Sequence, residues 1–117
     1  LGPLKPGEAA ITPGFKLRAQ YVVHSVCPRY LDGMRGEHEQ LASAYASALR
    51  FYDQLRNPHS IAFISMGTGV YKWPLGLAAE IAVNELLKSP FDKTTMCVLD
   101  EAARAVYLKA LGDHGSI

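Results

Sequence analysis

Ser60-Ile61-Ala62-Phe63-Ile64-Ser65-Met66-Gly67-Thr68-Gly69-Val70-Tyr71-Lys72-Trp73-Pro74 passes from a short apolar run into a turn with two glycines and leaves it at a proline. The run is rich in β-formers, and the proline suits the first position of a helix, where a missing N–H goes unmissed. The stretch therefore reads as strand, turn, helix. Unpaired helix N–H groups and the positive end of the helix dipole meet in such a turn, which makes it an anion site. Gly67 and Gly69 let the backbone approach a phosphate with no Cβ in the way. Tyr71 and Trp73 offer flat surface to a ribose or a base. A plain strand-to-helix turn explains the same composition equally well, its glycines serving only the turn and its aromatics filling the core.

Outward from this stretch the pattern repeats. Residues 20–27 form a nearly continuous β-rich run that reads as a strand covered on both faces, ended by Pro28. Residues 8–12 read as a shorter strand closed by Pro13-Gly14, after a lead-in rich in proline and glycine. From Glu37, apolar residues recur at three and four: Leu41, Tyr45, Ala48, Leu49, Tyr52 and Leu55 mark one side of a helix that Asn57-Pro58 ends. Glu37 and Glu39 suit its positive N-terminal end. The helix opened by Pro74 runs to Ser89-Pro90, a strand follows over residues 94–99, and Asp100 caps a last helix through Leu111 that stops at Gly112. Alternating strands and helices predict an α/β fold with a mostly parallel sheet, whose ligands bind beyond the carboxyl ends of the strands.

Composition bounds what the chain can do. Its 117 residues suit one domain, and 49% hydrophobic with 20% charged residues is ordinary for a folded protein. Twelve basic against eleven acidic residues, with no basic run, argue against nucleic-acid binding by bulk charge. The two cysteines, Cys27 and Cys97, form no pair or zinc set with the four scattered histidines, which fits a reducing, cytoplasmic setting with neither metal nor cofactor. No stretch has the apolar length of a membrane helix, and the first residues lack the pattern of a signal peptide.

Three known motifs fail on the 65–74 turn. A P-loop needs a second glycine before the lysine and a hydroxyl after it, where Trp73 stands. A dinucleotide fingerprint needs glycine at Lys72, and a nucleophile elbow around Ser65 needs glycine at Phe63.

Residues 61–74 closely resemble the segment of macro domains that wraps the diphosphate of ADP-ribose. The rest of the chain is similar in order and spacing: Gly7 to Leu17 resembles that family's short strand and turn, Tyr21 to Pro28 its next strand, Leu41 with Tyr45 and Leu49 the helix after it, and Val98-Leu99-Asp100-Glu101 the end of its last strand, near the adenine. The resemblance implies a three-layer α/β/α domain over residues 1–117, with helices on both faces of a mostly parallel mixed sheet. It implies binding of ADP-ribose or a derivative by Met66, Gly67, Thr68, Gly69, Val70 and Tyr71, with Asp100 as a secondary contact. The chain departs from the family at Cys27, Lys72 and often Gly67, where the family usually has Gly, Gly and Ser, and at Ile64, where it has Pro.

The family's Asn-Ala-Ala-Asn strand end and Gly-Gly-Gly loop, which carry most of the groups proposed for hydrolysis, match nothing in these 117 residues. Catalytic residues therefore stay unassigned. The alternative function, hydrolysis of ADP-ribosylated or O-acetyl-ADP-ribose substrates, requires that segment, and the domain is expected to be incomplete at its N-terminus. The family's sheet places the missing strand between those matching residues 21–26 and 60–66, which would otherwise stand roughly 9–10 Å apart, too far for ladder hydrogen bonds. Three expectations follow: the chain is a piece of a longer polypeptide, a second copy or segment supplies the strand, or the two strands close up and pair.

Single residues add little. His24 reads as a hydrogen-bonded core residue, and an odd offset puts Cys27 on the opposite strand face, a poor geometry for a nucleophile pair. Cys97 reads as packing, Tyr45 and Tyr52 as helix core, and Asp100 most simply as a cap.

Overall fold

The computed structural model describes residues 4–14, 18–19, 21–55, 60–66 and 72–113. Among the described residues four strands are formed by β1 (Ala9–Pro13), β2 (Tyr21–Ser25), β3 (Ser60–Ile64) and β4 (Lys93–Cys97). Three helices, α1 (Glu37–Leu49), α2 (Leu75–Leu86) and α3 (Glu101–Asp113), follow β2, β3 and β4. The alternation expected from periodicity is therefore the observed order, and the class is α/β.

β1 and β2 pair antiparallel, from Ala9 opposite Ser25 to Pro13 opposite Tyr21. β3 and β4 pair in parallel, from Ser60 opposite Lys93 to Ile64 opposite Cys97. Among the described residues these ladders remain two separate sheets, so the close-up of β2 against β3 does not occur. Both strands nevertheless meet the same turn of α1. Ser25 Oγ donates to the Ala44 carbonyl at 2.9 Å, and the ring of Tyr45, one residue on, packs against Phe63 with centroids 5.5 Å apart. α1 thus bridges the two ladders.

All three helices lie over the same face. Phe63 and Met96 share that face by register; α1 covers the first through Tyr45, while α2 and α3 flank the second through Val83 and Tyr107. The core is built from Leu41, Tyr45, Ala48, Leu49, Phe63, Trp73, Ala78, Ala79, Ala82, Phe91, Tyr107 and Ala110. The run at β2, expected to be covered on both faces, has Tyr21 and His24 exposed, and at β3 Phe63 is buried while Ile64 is 76% exposed, because no described helix covers the opposite side.

Helix ends show the local chemistry. α1 tightens into a 3-10 turn over Arg50–Gln54 instead of running on to Leu55, a common way for the last turn of a helix to close. Pro74, expected as the first residue of α2, is its N-cap: ψ is 128°, and its carbonyl already accepts the Ala78 N–H at 2.9 Å. β1 is tied down by Gly7, whose φ of 89° suits glycine; its carbonyl takes bonds from Ser43 and Ser47 of α1 at 2.9 and 2.8 Å.

Candidate functional site

The parallel pairing of β3 and β4 brings their C-terminal ends together, so Ser65-Met66 and Val98-Leu99-Asp100 emerge at one end of the sheet. Gly67, Thr68, Gly69, Val70 and Tyr71 lie outside the described residues. What the structure fixes is where the turn departs and where it returns.

The departure is held from two helices. Met66 N–H donates to the Tyr45 hydroxyl of α1 at 3.1 Å, so this predicted ligand residue has its backbone donor already engaged. Ser65 Oγ lies 2.5 Å from the Tyr107 hydroxyl of α3. Burial raises the pKa of Tyr45, with Tyr107 reinforcing the effect. Burial likewise raises that of Tyr107, while hydrogen bonds from Ser65 and Tyr45 oppose it. Both phenols therefore stay neutral at physiological pH and serve as hydrogen-bonding groups without charge.

The return is held as firmly. Lys72 has φ of 62°, a left-handed conformation rare for residues with a Cβ. Trp73 follows, 3% exposed, with its indole N–H donating to the Pro28 carbonyl at 2.8 Å and its ring against Tyr30 at 5.0 Å. The expectation that Trp73 faces a ribose or base is thereby corrected: the ring points inward because its N–H finds a buried partner there. The Pro28 carbonyl also accepts the Cys27 thiol at 3.3 Å, and burial pushes that thiol up to about 11.

Asp100 is exposed at the same sheet end. Its Oδ1 accepts the Ala103 N–H at 2.8 Å, the bond of an N-cap. The simpler reading of this residue is thus realised, and its second carboxylate oxygen is turned to no described partner that bears on the site.

Other residues differ from expectation. His24 is exposed and bonds Thr12 across the β1–β2 ladder at 2.9 Å, so it is hydrogen-bonded but not in the core. Cys97 is exposed at the end of β4, on the face no described helix covers. Glu37 does more than meet a helix dipole. It is 2% exposed, and its carboxylate accepts the backbone N–H groups of Leu31, Asp32, Gly33 and Arg35 at 2.7, 3.0, 3.1 and 2.8 Å. Those bonds, led by Leu31, lower its pKa to about 2 against the opposing effect of burial. Tyr107 drew no attention in the sequence; the signal was a tyrosine on the buried side of a helix, where a hydroxyl needs a partner.

Among the described residues no His, Cys, Asp and Glu cluster is placed to hold a metal, and no helix is long and apolar enough to cross a membrane. An apolar groove of about 370 Å³ opens between α2, β4 and α3, lined by Leu86, Met96, Val98 and Leu108 among others. It offers a phosphate little beyond Arg104, which already lies 3.7 Å from Glu101.

A parallel ladder whose first strand leads, at its C-terminal end, toward the start of a helix defines a class: an α/β protein with a strand-to-helix connection at the end of the sheet where such folds place their ligands. The macro domain profile matches residues 1–82, and the chain belongs to the macro domain family. It is 36% identical, over 95% of its length, to a macro domain-containing protein of Mesorhizobium japonicum, of which it spans 65%. It is also 36% identical to a Klebsiella pneumoniae protein named O-acetyl-ADP-ribose deacetylase, covering 97% of this chain and 67% of that one. Among solved structures, the Oceanobacillus iheyensis macrodomain with ADP superposes with a TM-score of 0.85 at 29% identity, over 95% of this chain and 60% of that one. The Trypanosoma brucei macrodomain in complex with ADP gives 0.79 at 30% identity, over 96% and 48%. The chain spans about two thirds or less of the length of these relatives.

Proposed function

We propose that the chain binds ADP-ribose or a derivative, with the diphosphate held by backbone N–H groups of residues 67–71 at the start of α2. The observation that carries this reading is the N-terminus of α2. It has no side-chain cap and no acidic residue in its first turn, and it begins beside the turn that leaves the C-terminal end of β3. Its first N–H groups lack partners within the helix, and the dipole favours an anion there. Relatives whose structures hold ADP fit the same ligand class. Asp100, at the neighbouring strand end, is the candidate for the adenine side.

Calorimetric titration with ADP-ribose tests the proposal, together with Gly69→Glu, which fills the phosphate's place with bulk and like charge. Binding by the wild type and none by the variant is expected. No heat and no thermal shift at millimolar ligand would retire the reading, and unchanged affinity in Gly69→Glu would move the ligand elsewhere.

A second reading, hydrolysis, is favoured by the deacetylase name of the Klebsiella relative. Its requirements are a strand and loops beyond those matched here, supplied by a longer chain, a second copy or another segment that completes the sheet between β2 and β3. Acetate release from O-acetyl-ADP-ribose distinguishes the two: binding without turnover supports a recognition module, and a cytoplasmic setting suits either.

A further inference from the structure

Among the described residues β4 is an edge strand, with β3 its one ladder partner. In a parallel pair every second residue of a strand points its N–H and C=O away from the partner, and an unpaired row of such groups is a template for another strand. The helix side of the same strand faces the apolar groove of about 370 Å³ between α2, β4 and α3. Thr94, Met96 and Val98 of β4 line that groove, as do Leu87 and Leu108, both exposed. Open backbone and open apolar surface thus belong to one strand, so what covers them is extended and brings apolar side chains on one face. Charge gives no reason for a strongly acidic or basic partner: Arg104 is paired with Glu101 at 3.7 Å and Lys88 with Glu85 at 3.2 Å.

We infer that β4 is a self-association edge: two copies of this chain join β4 to β4, antiparallel across a two-fold axis, into one four-stranded sheet. Such an axis pairs each residue before the centre of the strand with the one equally far beyond it in the second copy. β4 has five residues centred on Thr95, so Thr95 meets Thr95 of the second copy, Thr94 meets Met96 and Lys93 meets Cys97. That register suits a second copy. Threonine opposite threonine is a favourable cross-strand pair, and Lys93, the one charge of the strand, is kept from its own counterpart. The formal charge of +1 leaves two copies little net repulsion. On the helix side the Thr94–Met96 pairs carry the apolar lining from one copy into the other, where Leu87 and Leu108 gain cover without meeting a new charge. The strand concerned is neither of those that flank the gap between β2 and β3, and the inference does not rest on the ligand reading. Antiparallel joining sends the C-terminal ends of the two β4 strands, with their candidate sites, in opposite directions.

Sedimentation equilibrium from about 1 to about 100 µM, the range suited to a small interface, tests the inference on wild type, Thr95→Lys, Leu108→Glu and the control Ile64→Lys. Thr95 shares by register the face turned from the helices with Ala62, so a lysine there meets water in one copy and like charge only in the pair. Ile64, exposed on that same face of β3, reports on stacking of faces rather than joining of edges. Wild type is expected to reach twice the chain mass, with the dissociation constant raised at least about tenfold in Thr95→Lys and Leu108→Glu and unchanged in Ile64→Lys. A second measurement needs no disruption. Thr95→Cys in a Cys97→Ser background is expected to form an intermolecular disulfide under mild oxidation, because opposed residues of antiparallel strands have Cα atoms about 4.5–5.5 Å apart. Where a disruptive variant fails to fold, that disulfide decides. A wild type monomeric throughout, a dimer insensitive to both Thr95→Lys and Leu108→Glu, a dimer lost in Ile64→Lys, or growth beyond the dimer each overturns the inference. So does a dimeric Thr95→Cys chain that stays uncrosslinked.

Discussion

Replacing Trp73 by phenylalanine probes the return end of the turn without touching the turn itself. The indole is 3% exposed, so shrinking it to a phenyl ring leaves a cavity and costs about 1–2 kcal/mol. The lost N–H bond to Pro28, 2.8 Å in the structure, adds about 1 kcal/mol. That second figure sits at the low end because the Cys27 thiol still donates to the same carbonyl. The sum is about 2–3 kcal/mol, which at this chain length lowers Tm by roughly 8–12 °C. Urea denaturation monitored by circular dichroism reads the difference directly. A cycle with Cys27→Ala sharpens it: either change alone leaves the carbonyl one donor, and the double variant leaves none of those described. The double loss should therefore exceed the sum of the singles by about 1 kcal/mol. Trp73→Phe within about 0.5 kcal/mol of wild type, or strict additivity in the cycle, would refute the shared-acceptor reasoning.

Glu37 has its pKa lowered from 4.5 to about 2, so its contribution is complete above pH 4.5 and is lost as pH falls toward 2. Glu37→Gln should be less stable than wild type at pH 7, with the gap narrowing between pH 4.5 and 2; a pH-independent gap in denaturation midpoints would contradict the carboxylate's role. Asp100→Ala removes the cap bond to Ala103 and should cost about 1 kcal/mol, whereas Asp100→Asn should recover most of it; equal stability of all three would dismiss the cap. Lys72, at φ 62°, should lose about 1 kcal/mol or more as Val, whose branched Cβ suits that conformation poorly. As Gly it should stay within about 0.5 kcal/mol of wild type, because relief of strain offsets the added chain freedom. A Val variant as stable as wild type would speak against the left-handed backbone.

The element order was legible because apolar spacing switches cleanly between strand and helix, as at Leu41, Tyr45 and Ala48 after the run ending at Cys27. What a local pattern does not carry is which face of a strand is covered. Ile64 belongs to an apolar run in the sequence, yet it lies on the face that no described helix covers and stays exposed. The strand before and the helix after the 67–71 turn were legible from the apolar run and the proline. The residues that hold its ends were not, since Tyr107 lies 42 positions from Ser65 and Pro28 lies 45 from Trp73. Spacing in the chain gives no warning of such pairs. Lys72 shows the opposite case: the family's usual glycine at that position is explained by a backbone angle that only the structure displays.

β1 and β2 pair within residues 9–25, and β3, α2 and β4 close on one another within 60–97. Each ladder can thus form from neighbouring chain with little search. α1 stands between them in sequence as well as in space, and the bonds from Ser25 to Ala44 and from Met66 to Tyr45 exist only once it has docked on both. On the proposed ligand reading the site is complete only after that docking and belongs to neither ladder alone, so kinetics followed by ligand capture should lag behind kinetics followed by strand formation.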